Sequence, residues 1–535
     1  MLIRGGYLLH SFQQNGYRIN EFAWWLARRW SSMLFPAPHL GIILLSLASL
    51  HYLEPVLTTS AAAVILFLFT VFVFGNISDY KSEKVKKPLV FTARMIRLAA
   101  VFLFLSLLLP VIGSAYAFHT GVLFPNMHAL VIAWVFADLV LPYLLIISSA
   151  LIYPLESIIQ YRYKWMAGRK IRSMPDLKVI AITGSYGKTS TKFLIDAVLK
   201  ERYRVCTTPG SYNTPMGICK VINNDLQPGD QILILEMGAR YVGNIDELCR
   251  IASPDIAVIT NVGVAHLETF GSLDAIAKTK GALLRYLKPG GLALLNGDDE
   301  NVRGMPIRDG VPVVYAGMTA EKNHIYSDSA HYDENGCTFS ISVDPDETGV
   351  IGRGIHQERL SMPLLGQHNI HNALLAAGVG LALGLRLPTI RVALSKVSPV
   401  AHRLELKKRN GVIVIDDAFN SNPVGARNAV SVLSGFKTGR KYIVTPGMIE
   451  LGGLQREENY KLGLWIAEHA PDHVYLVGRE QTKPLFDGLK EGCYPEEQIT
   501  VVKSLFEAND LLEQRLSSGD VVLYENDLPD TYSEK

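Results

Sequence analysis

The stretch that decides the fold is Val179-Ile-Ala-Ile-Thr-Gly-Ser-Tyr-Gly-Lys-Thr-Ser-Thr191. Its first residues, Val179–Ile182, are apolar and mostly β-branched, which predicts a buried strand. A glycine-containing turn follows, and Lys192–Leu199 then places apolar residues at helical spacing. A strand, a glycine-rich turn, a Lys-Thr pair and a helix form the layout of a phosphate-binding loop, in which backbone N–H groups face the anion.

The residue types in this turn match the tasks of such a loop. Lys188 is expected to reach the terminal phosphates, and the Thr189 hydroxyl can hold Mg²⁺. Position 182 is Ile, so only Gly184-x-x-Gly187-Lys188-Thr189 of the usual Walker spacing is present. A plain turn is the alternative, but the strand-to-helix context favours phosphate binding. The residues expected to contact the nucleotide here are Gly184, Ser185, Gly187, Lys188, Thr189 and Ser190.

Length and composition narrow the possible classes of protein. A chain of 535 residues is too long for one domain, and two to four are expected. The net charge of +2 gives no general signature of nucleic-acid binding, so no nucleic-acid partner is expected. Five cysteines lack C-x-x-C spacing, which indicates free thiols in a reducing compartment and no disulfide framework.

The N-terminal part of the chain is strongly apolar. Residues 1–36 carry tryptophans beside arginines, which is typical of a helix at the lipid headgroup level, although an ordinary amphipathic helix has the same pattern. A span needs about 20 mostly apolar residues, and the sequence predicts a four-helix transmembrane domain over residues 37–155. The four apolar segments lie near Leu40–Leu57, Ala61–Phe74, Leu98–Ala117 and Ala129–Ile152.

Basic residues predict the orientation of these segments. Arginines precede the first segment, and lysines and arginines lie between the second and third and continue after the fourth in a basic linker over residues 156–176. The other two connections, residues 58–60 and 118–128, contain no lysine or arginine. The positive-inside rule then places both termini in the cytoplasm of a multi-pass protein of the plasma membrane. Asp138 lies inside the fourth segment and is expected to pair within the helices or to contact a polar ligand.

From residue 177 the pattern becomes α/β. Short β-rich runs alternate with helical stretches, which predicts a P-loop-type central ATPase domain over residues 177–397 with a mainly parallel sheet. A hairpin is expected around Asn335-Gly336 and a small-residue helix over residues 369–384. A second run of strands predicts a Rossmann-like C-terminal domain over residues 398–535.

Three further side chains can join the phosphate loop. Glu236 ends the predicted strand Ile232–Leu235, where a carboxylate can hold Mg²⁺, and His266 follows the next strand as a second candidate ligand. Ser272 is the predicted N-cap of a helix on which Lys280 falls on the apolar stripe. A lysine there is paired, neutral or modified, unless it snorkels to the rim.

The ordered set of motifs resembles the Mur ligases, the ATP-dependent amide ligases of peptidoglycan precursor synthesis, and is most similar to their D-alanyl-D-alanine-adding branch. The resemblance covers roughly residues 175–530. The motifs that carry it are Thr183-Gly-Ser-Tyr-Gly-Lys-Thr-Ser, Glu236-Met-Gly-Ala, Asn261-Val-Gly-Val-Ala-His-Leu-Glu, Lys278-Thr-Lys-Gly, Asn296-Gly-Asp-Asp, Gly366-Gln-His-Asn-Ile-His-Asn, His402-Arg-Leu-Glu, Asp416-Asp-Ala-Phe-Asn-Ser-Asn-Pro and Gly447-Met-Ile-Glu-Leu-Gly.

The resemblance implies a role for each matching residue. The catalytic residues would be Lys188, His266, Lys280 and Arg403, with Arg403 reaching the ATP phosphates from the C-terminal domain. The magnesium ligands would be Thr189, Glu236, His266 and Lys280, the last as a carbamate. Asn296 and Asn372 would lie around the adenine and Asp417 near the ribose. The substrates would meet Asn213, Thr214, Asn420 and Asn422.

The implied reaction joins a carboxylate to the amine of an amino acid or dipeptide through an acyl phosphate, with ATP and Mg²⁺. The predicted membrane segments occupy the place of the family's uridine-nucleotide-binding domain. No counterpart of that domain is therefore expected here. The acceptor is therefore expected to be membrane-associated, and a lipid-linked envelope precursor fits. Two alternatives are a ligase that extends a γ-linked glutamyl polymer and a non-ligase membrane ATPase or scaffold.

Overall fold

The chain forms two compact units in a computed structural model, one built from residues up to Tyr161 and one from Arg162–Leu528. The structure describes residues 2–34, 37–52, 64, 67, 88–119, 132–327, 329–333, 336–345, 349–352, 356–399, 402–418, 421–437, 439–449 and 451–526.

The first unit is helical in all its described elements. Its helices pack around a small apolar core that includes Leu8, Phe12, Phe22, Leu98 and Leu145. A π-helical turn, Trp30–Leu34, follows the second helix, and residues 132–139 are also helical. The helices are α1 (Leu2–Gln14), α2 (Ile19–Arg28), α3 (Ala37–Tyr52), α4 (Ala93–His119) and α5 (Leu141–Arg172), whose last residues, from Arg162, belong to the second unit.

Two helices of the described residues are long and apolar enough to cross a membrane, Ala93–Ile112 within α4 and Leu141–Arg172. The predicted four-helix membrane domain is therefore not confirmed. The first predicted segment falls partly in α3, whose apolar stretch His39–Ala48 is short, and nearly all of the second lies outside the described residues. The fourth is divided at Val140, because Pro142 lacks an N–H and suits the first turn of a new helix.

Asp138 is paired inside the first unit, which is one of the two expectations for it. Its Oδ2 accepts hydrogen bonds from Arg4 Nη1 at 3.0 Å and from His39 Nε2 at 2.8 Å. Arg4 also donates to the Met33 carbonyl at 2.6 Å, and its side chain is 3% exposed. A buried carboxylate is costly when alone, and these partners offset part of that cost within the helices.

The second unit contains the larger of two sheets, with ten described strands. Their order is β10-β9-β7-β6-β5-β4-β1-β3-β2, and β8 pairs with β9. All pairs among β1–β7 are parallel, as the alternation of strands and helices predicts. Strand β9 pairs antiparallel with β7, β8 and β10. The strands are β1 (Lys178–Thr183), β2 (Val205–Thr207), β3 (Ile232–Glu236), β4 (Ile256–Ile259), β5 (Leu292–Asn296), β6 (Val313–Gly317), β7 (Ile325–Tyr326), β8 (Ala330–Asp333), β9 (Gly336–Val343) and β10 (His356–Met362).

Helices cover this sheet because its strands are apolar on both faces. All residues of β3 and β5 are buried, and Ile180 and Ala181 of β1 lie in two different apolar clusters. Asn335 of the expected hairpin turn lies outside the described residues, but the flanking strands pair antiparallel with Asp333 opposite Gly336. The helices are α6 (Lys188–Lys200), α7 (Pro215–Asn224), α8 (Asn244–Ile251), α9 (Leu267–Phe270), α10 (Leu273–Arg285), α11 (Glu300–Arg303), α12 (Gln367–Ala382) and α13 (Leu387–Ser395).

The smaller sheet of the second unit has six described strands in the order β11-β12-β16-β13-β14-β15. Only the edge pair β11–β12 is antiparallel, and the other pairs are parallel. The carboxyl ends of β12, β16 and β13 therefore lie side by side, where ligands bind in open parallel sheets. Its elements are β11 (Glu405–Arg409), β12 (Val412–Asp417), α14 (Pro423–Ser434), β13 (Lys441–Thr445), α15 (Gln455–His469), β14 (His473–Val477), α16 (Lys483–Glu491), β15 (Ile499–Val502), α17 (Leu505–Glu513) and β16 (Val521–Glu525).

Candidate active site

The phosphate loop joins β1 to α6, as the sequence predicts, and two of its glycines have no room for a side chain. Gly187 adopts φ +77° as the N-cap of α6, and a Cβ there would lie 2.7 Å from Asn372 Oδ1. A Cβ on Gly184 would lie 1.9 Å from Thr260 Oγ1. Both positions thus require glycine, and the loop passes close to residues far along the chain.

Hydrogen bonds attach the phosphate loop to the loop after β4. Ser185 Oγ donates to the Gly263 carbonyl at 3.0 Å and accepts from the Gly263 N–H at 2.8 Å. The Tyr186 N–H donates to Asn261 Oδ1 at 2.8 Å, and Thr260 Oγ1 donates to the Tyr186 carbonyl at 2.5 Å. Protein hydrogen bonds therefore hold the loop in place, as a preorganised anion site requires.

Two lysines lie against this loop. Lys188 Nζ donates to the carbonyls of Gly184 at 2.8 Å and Ser185 at 3.0 Å, and Lys280 Nζ donates to the same Gly184 carbonyl at 2.8 Å. Burial lowers the pKa of Lys188 to about 8, opposed by Glu236 and reinforced by Arg403. Burial and the charge of Lys188 lower the pKa of Lys280 well below its ordinary value.

Lys280 is buried, as its place on the apolar stripe of α10 predicts, and its side chain is 3% exposed. Ser272 caps this helix by accepting from the Ala275 N–H. A neutral amine is the form that can add carbon dioxide, so the lowered pKa suits the implied carbamate. That modification and the catalytic role of Lys280 stay predictions.

Glu236 lies at the carboxyl end of β3 and is 1% exposed. Its Oε1 accepts from Asn213 Nδ2 at 3.0 Å, and Lys192 Nζ lies 3.4 Å from its Oε2. Within the described residues, Oε2 has no hydrogen-bond donor. A buried carboxylate oxygen without a donor beside a phosphate loop fits Mg²⁺, which prefers such oxygen ligands.

Two other predicted magnesium ligands are Thr189 and His266. Thr189 is buried in the first turn of α6. His266 is the N-cap of α9 with φ 58°, a left-handed conformation that is uncommon for residues other than glycine. His266 lies just beyond the Asn261–Gly263 segment that contacts the phosphate loop. These residues could hold Mg²⁺ together with Glu236.

Arg403 reaches this group from the smaller sheet. Burial lowers its pKa, and the negative charges of Glu236 and Asp417 oppose the shift, which indicates that both carboxylates lie near the guanidinium. Burial and the charge of Glu525 raise the pKa of Asp417 to about 7. Asp417 Oδ1 also accepts from the Leu404 N–H at 3.1 Å. Arg403 is therefore close to one candidate residue of each sheet, Glu236 of the larger and Asp417 of the smaller.

The remaining predicted residues are more dispersed. Asn372 Oδ1 accepts from Thr191 Oγ1 at 2.9 Å, so Asn372 contacts the phosphate loop region, and Asn296 Nδ2 donates to the Thr260 carbonyl at 2.8 Å. Thr214 is the N-cap of α7 and Asn422 the N-cap of α14, so both have structural duties. Ser190 is buried in α6, and Asn420 lies outside the described residues.

The sequence reasoning missed two residues of this site. Lys192 was included only in the apolar run of a helix, yet its side chain is fully buried beside Glu236. Its spacing of four from Lys188 puts both lysines on one helix face, and that spacing was the available signal. Glu525 ends β16 opposite Asp417 and bonds to Thr445 Oγ1 at 2.5 Å and to Ser421. Nothing in its local sequence marked it.

Family models match most of the second unit. A model described as the Mur ligase middle domain matches residues 182–380, and one described as the Mur ligase glutamate ligase domain matches residues 402–524. The chain is 31% identical over 354 residues to the UDP-N-acetylmuramoyl-tripeptide–D-alanyl-D-alanine ligase of Bacillus subtilis, covering 65% of this chain and 72% of the relative. The enzyme of the same name from Mycobacterium tuberculosis is 33% identical over 370 residues, with coverages of 65% and 70%.

Solved structures agree with this assignment. The MurF ligase of Thermotoga maritima in complex with ADP superposes with a TM-score of 0.60 at 26% identity, over 70% of this chain and 81% of that one. MurF of Acinetobacter baumannii gives a TM-score of 0.61 at 24% identity, over 70% and 78%, a likeness of fold. The chain therefore belongs to the Mur ligase family of ATP-dependent ligases.

Proposed function

We propose that the chain is a MurF-type enzyme of peptidoglycan synthesis that joins a muramoyl-tripeptide carboxylate to the amine of D-alanyl-D-alanine. The observation that carries the proposal is the convergence of Lys188, Glu236 and Arg403 around the phosphate loop, where the charges of Glu236 and Arg403 shift the pKa of Lys188 in opposite directions. The names of the Bacillus and Mycobacterium relatives support the choice of the two substrates.

The chemistry proceeds in two steps. The acceptor carboxylate attacks the γ-phosphorus of ATP, an O–P bond forms, and ADP leaves with the electrons of the broken bond. The amine of the dipeptide then attacks the acyl carbon, loses a proton, and inorganic phosphate leaves. Lys188 and Arg403 stabilise negative charge on the transferring phosphoryl group.

Several residues would hold Mg²⁺ in this reaction, namely Thr189, Glu236, His266 and Lys280 as a carbamate. When bound, Mg²⁺ would neutralise negative charge on the ATP phosphates. The buried Oε2 of Glu236, which has no hydrogen-bond donor among the described residues, supports this assignment. Asn296, Asn372 and Asp417 would contact the nucleoside, and Asn213, Thr214, Asn420 and Asn422 the two substrates.

The first unit would anchor the enzyme in the plasma membrane with the ligase domains in the cytoplasm. Support comes from the two long apolar helices and from large apolar side chains on their surfaces, such as Phe104, Val111 and Leu151, which are 66%, 61% and 60% exposed. Exposed apolar surface of this extent is typical of a lipid-facing helix. An enzyme held there would encounter a lipid-linked acceptor readily, so we include that acceptor in the proposal.

The test measures ADP release by the full chain purified in detergent. ATP, Mg²⁺ and D-alanyl-D-alanine are supplied with either a UDP-linked or a lipid-linked muramoyl tripeptide, and single omissions serve as controls. The proposal expects ADP release over many turnovers only when both the acceptor and the dipeptide are present, because the dipeptide amine consumes the acyl phosphate. It also expects a higher kcat/KM for the lipid-linked acceptor. ADP release from ATP alone would indicate a non-ligase ATPase, and equal use of both acceptors would remove the lipid-linked part.

A further inference from the structure

Lys192 is a fully buried lysine that the reaction as described does not use. It lies one helical turn after Lys188 on α6, and its side chain is 0% exposed. The same helix ends in Lys200, whose side chain is 54% exposed and pairs with Asp196 at 2.6 Å. Because burying an ammonium without partners is costly, the contacts of Lys192 indicate what it stabilises.

Those contacts join three elements of the site. Lys192 Nζ lies 3.4 Å from Glu236 Oε2 at the end of β3, and it donates a hydrogen bond to the Gly210 carbonyl. Gly210 belongs to the segment Thr208–Thr214, here called the acceptor loop. The loop is attached a second time, because Asn213 Nδ2 donates to Glu236 Oε1 at 3.0 Å.

The neighbouring lysine cannot replace Lys192 in this arrangement. Lys188 Nζ already donates to the carbonyls of Gly184 and Ser185 in the phosphate loop. The described ion pair of Glu236 is with Lys192. Loss of the Lys192 charge would remove this ion pair from a carboxylate that is 1% exposed. It would also release the middle of the acceptor loop at Gly210, while Thr208 and Asn213 stay hydrogen-bonded to β3 and the residues after it.

We propose that Lys192 is a positioning residue that holds the acceptor loop against Glu236, so that the acceptor binds beside the phosphate loop in the geometry needed for phosphoryl transfer. The inference rests on the proposed function, which assigns Asn213 and Thr214 of this loop to substrate binding. It goes beyond that function by naming the residue that connects the acceptor side to the nucleotide side. Lys192 acts through Glu236 and the loop and does not contact the reacting atoms.

The first test compares Lys192→Met with Lys200→Met in the full chain in detergent. The same substitution on the same helix is thus made at a buried and at an exposed position. For Lys192→Met we expect KM for UDP-N-acetylmuramoyl tripeptide to rise about tenfold, the effect of losing one charge-assisted hydrogen bond. The Kd of ATP measured without Mg²⁺ or acceptor should stay within about threefold of the parent value for both variants.

The second test measures how readily a protease cleaves the acceptor loop, and it does not depend on enzymatic activity. Tyr212 is an exposed chymotrypsin site in the acceptor loop. We expect cleavage after Tyr212 to become faster in Lys192→Met, to remain at the parent rate in Lys200→Met, and to be largely restored in Lys192→Arg, which keeps the charge. If Lys192→Met fails to fold, Asn213→Ala removes the side-chain hydrogen bond from the loop to Glu236 and should also speed cleavage.

The outcomes separate this inference from the proposed function. Faster loop cleavage in a chain that turns over no muramoyl tripeptide would support the positioning role and overturn the proposed substrate. Unchanged cleavage in Lys192→Met, or equal increases in the KM for tripeptide and the Kd for ATP, would overturn the positioning role while leaving the ligase function intact.

Discussion

Replacement of Gly187 by alanine tests the geometry of the phosphate loop. A residue other than glycine at φ +77° costs about 1–2 kcal/mol. The added Cβ would also lie 2.7 Å from Asn372 Oδ1, and overpacking against a buried side chain costs about 1–3 kcal/mol more. Gly187→Ala should therefore lower the free energy of unfolding of the second unit by about 2–5 kcal/mol.

A matched control divides this cost into its two parts. Gly243 is also a left-handed N-cap, of α8, with φ +86°, and a Cβ there meets nothing within 4 Å. Gly243→Ala should cost only the backbone part, about 1–2 kcal/mol. The free energy of unfolding of both variants is measured in urea on the full chain in detergent, with pulse proteolysis as the readout of the unfolded fraction. Equal losses in the two variants would refute the contact between Gly187 and Asn372, as would the absence of any rescue when Asn372→Ala is added to Gly187→Ala.

Three further predictions concern chemistry and pH. Lys188→Ala should reduce ATP-dependent amide formation at least about 100-fold, because it removes a charge from the transferring phosphoryl group; full turnover measured by chromatography of the product would contradict the mechanism. Burial and Glu525 raise the pKa of Asp417 to about 7, so this carboxyl group should contribute a fall of up to about 4 kcal/mol in the free energy of unfolding as the pH rises from about 4 to about 8. The difference in free energy of unfolding between the parent and Asp417→Asn should change with pH by that amount in urea unfolding, and a difference that is the same at every pH would be inconsistent with it. Carbamylation of Lys280 predicts that activity falls in buffer depleted of carbon dioxide and recovers with bicarbonate. Lys280→Met should be inactive with or without bicarbonate, and Lys278→Met, at an exposed position, should behave like the parent.

Local patterns predicted the sheets well for a physical reason. A strand buried on both faces is apolar throughout, so runs such as Val179–Ile182 and Ile232–Leu235 can be predicted as strands from the local sequence alone. Lys280 could be placed inside the molecule because a helix presents residues three and four apart on one face. The N-cap role of Ser272 also follows from local chemistry and is confirmed.

Contacts between distant segments could not be predicted in the same way. Thr191 and Asn372 are 181 positions apart, and only the packing of α12 on α6 brings them together. The pairing of Asp138 with Arg4 and His39 likewise depends on how helices pack in the first unit. The boundary at Val140 escaped prediction because the apolar run continues across it and only Pro142 signals a new helix.

The fate of the acceptor's oxygen tests the central claim most directly. The full chain is given ATP, Mg²⁺, D-alanyl-D-alanine and a muramoyl tripeptide whose terminal carboxylate carries heavy oxygen, and the inorganic phosphate and the amide are analysed by mass spectrometry. Attack of the carboxylate on ATP predicts one labelled oxygen in the phosphate for each amide formed. Amide formation without label in the phosphate, or phosphate release without amide, would contradict carboxylate activation by this phosphate loop.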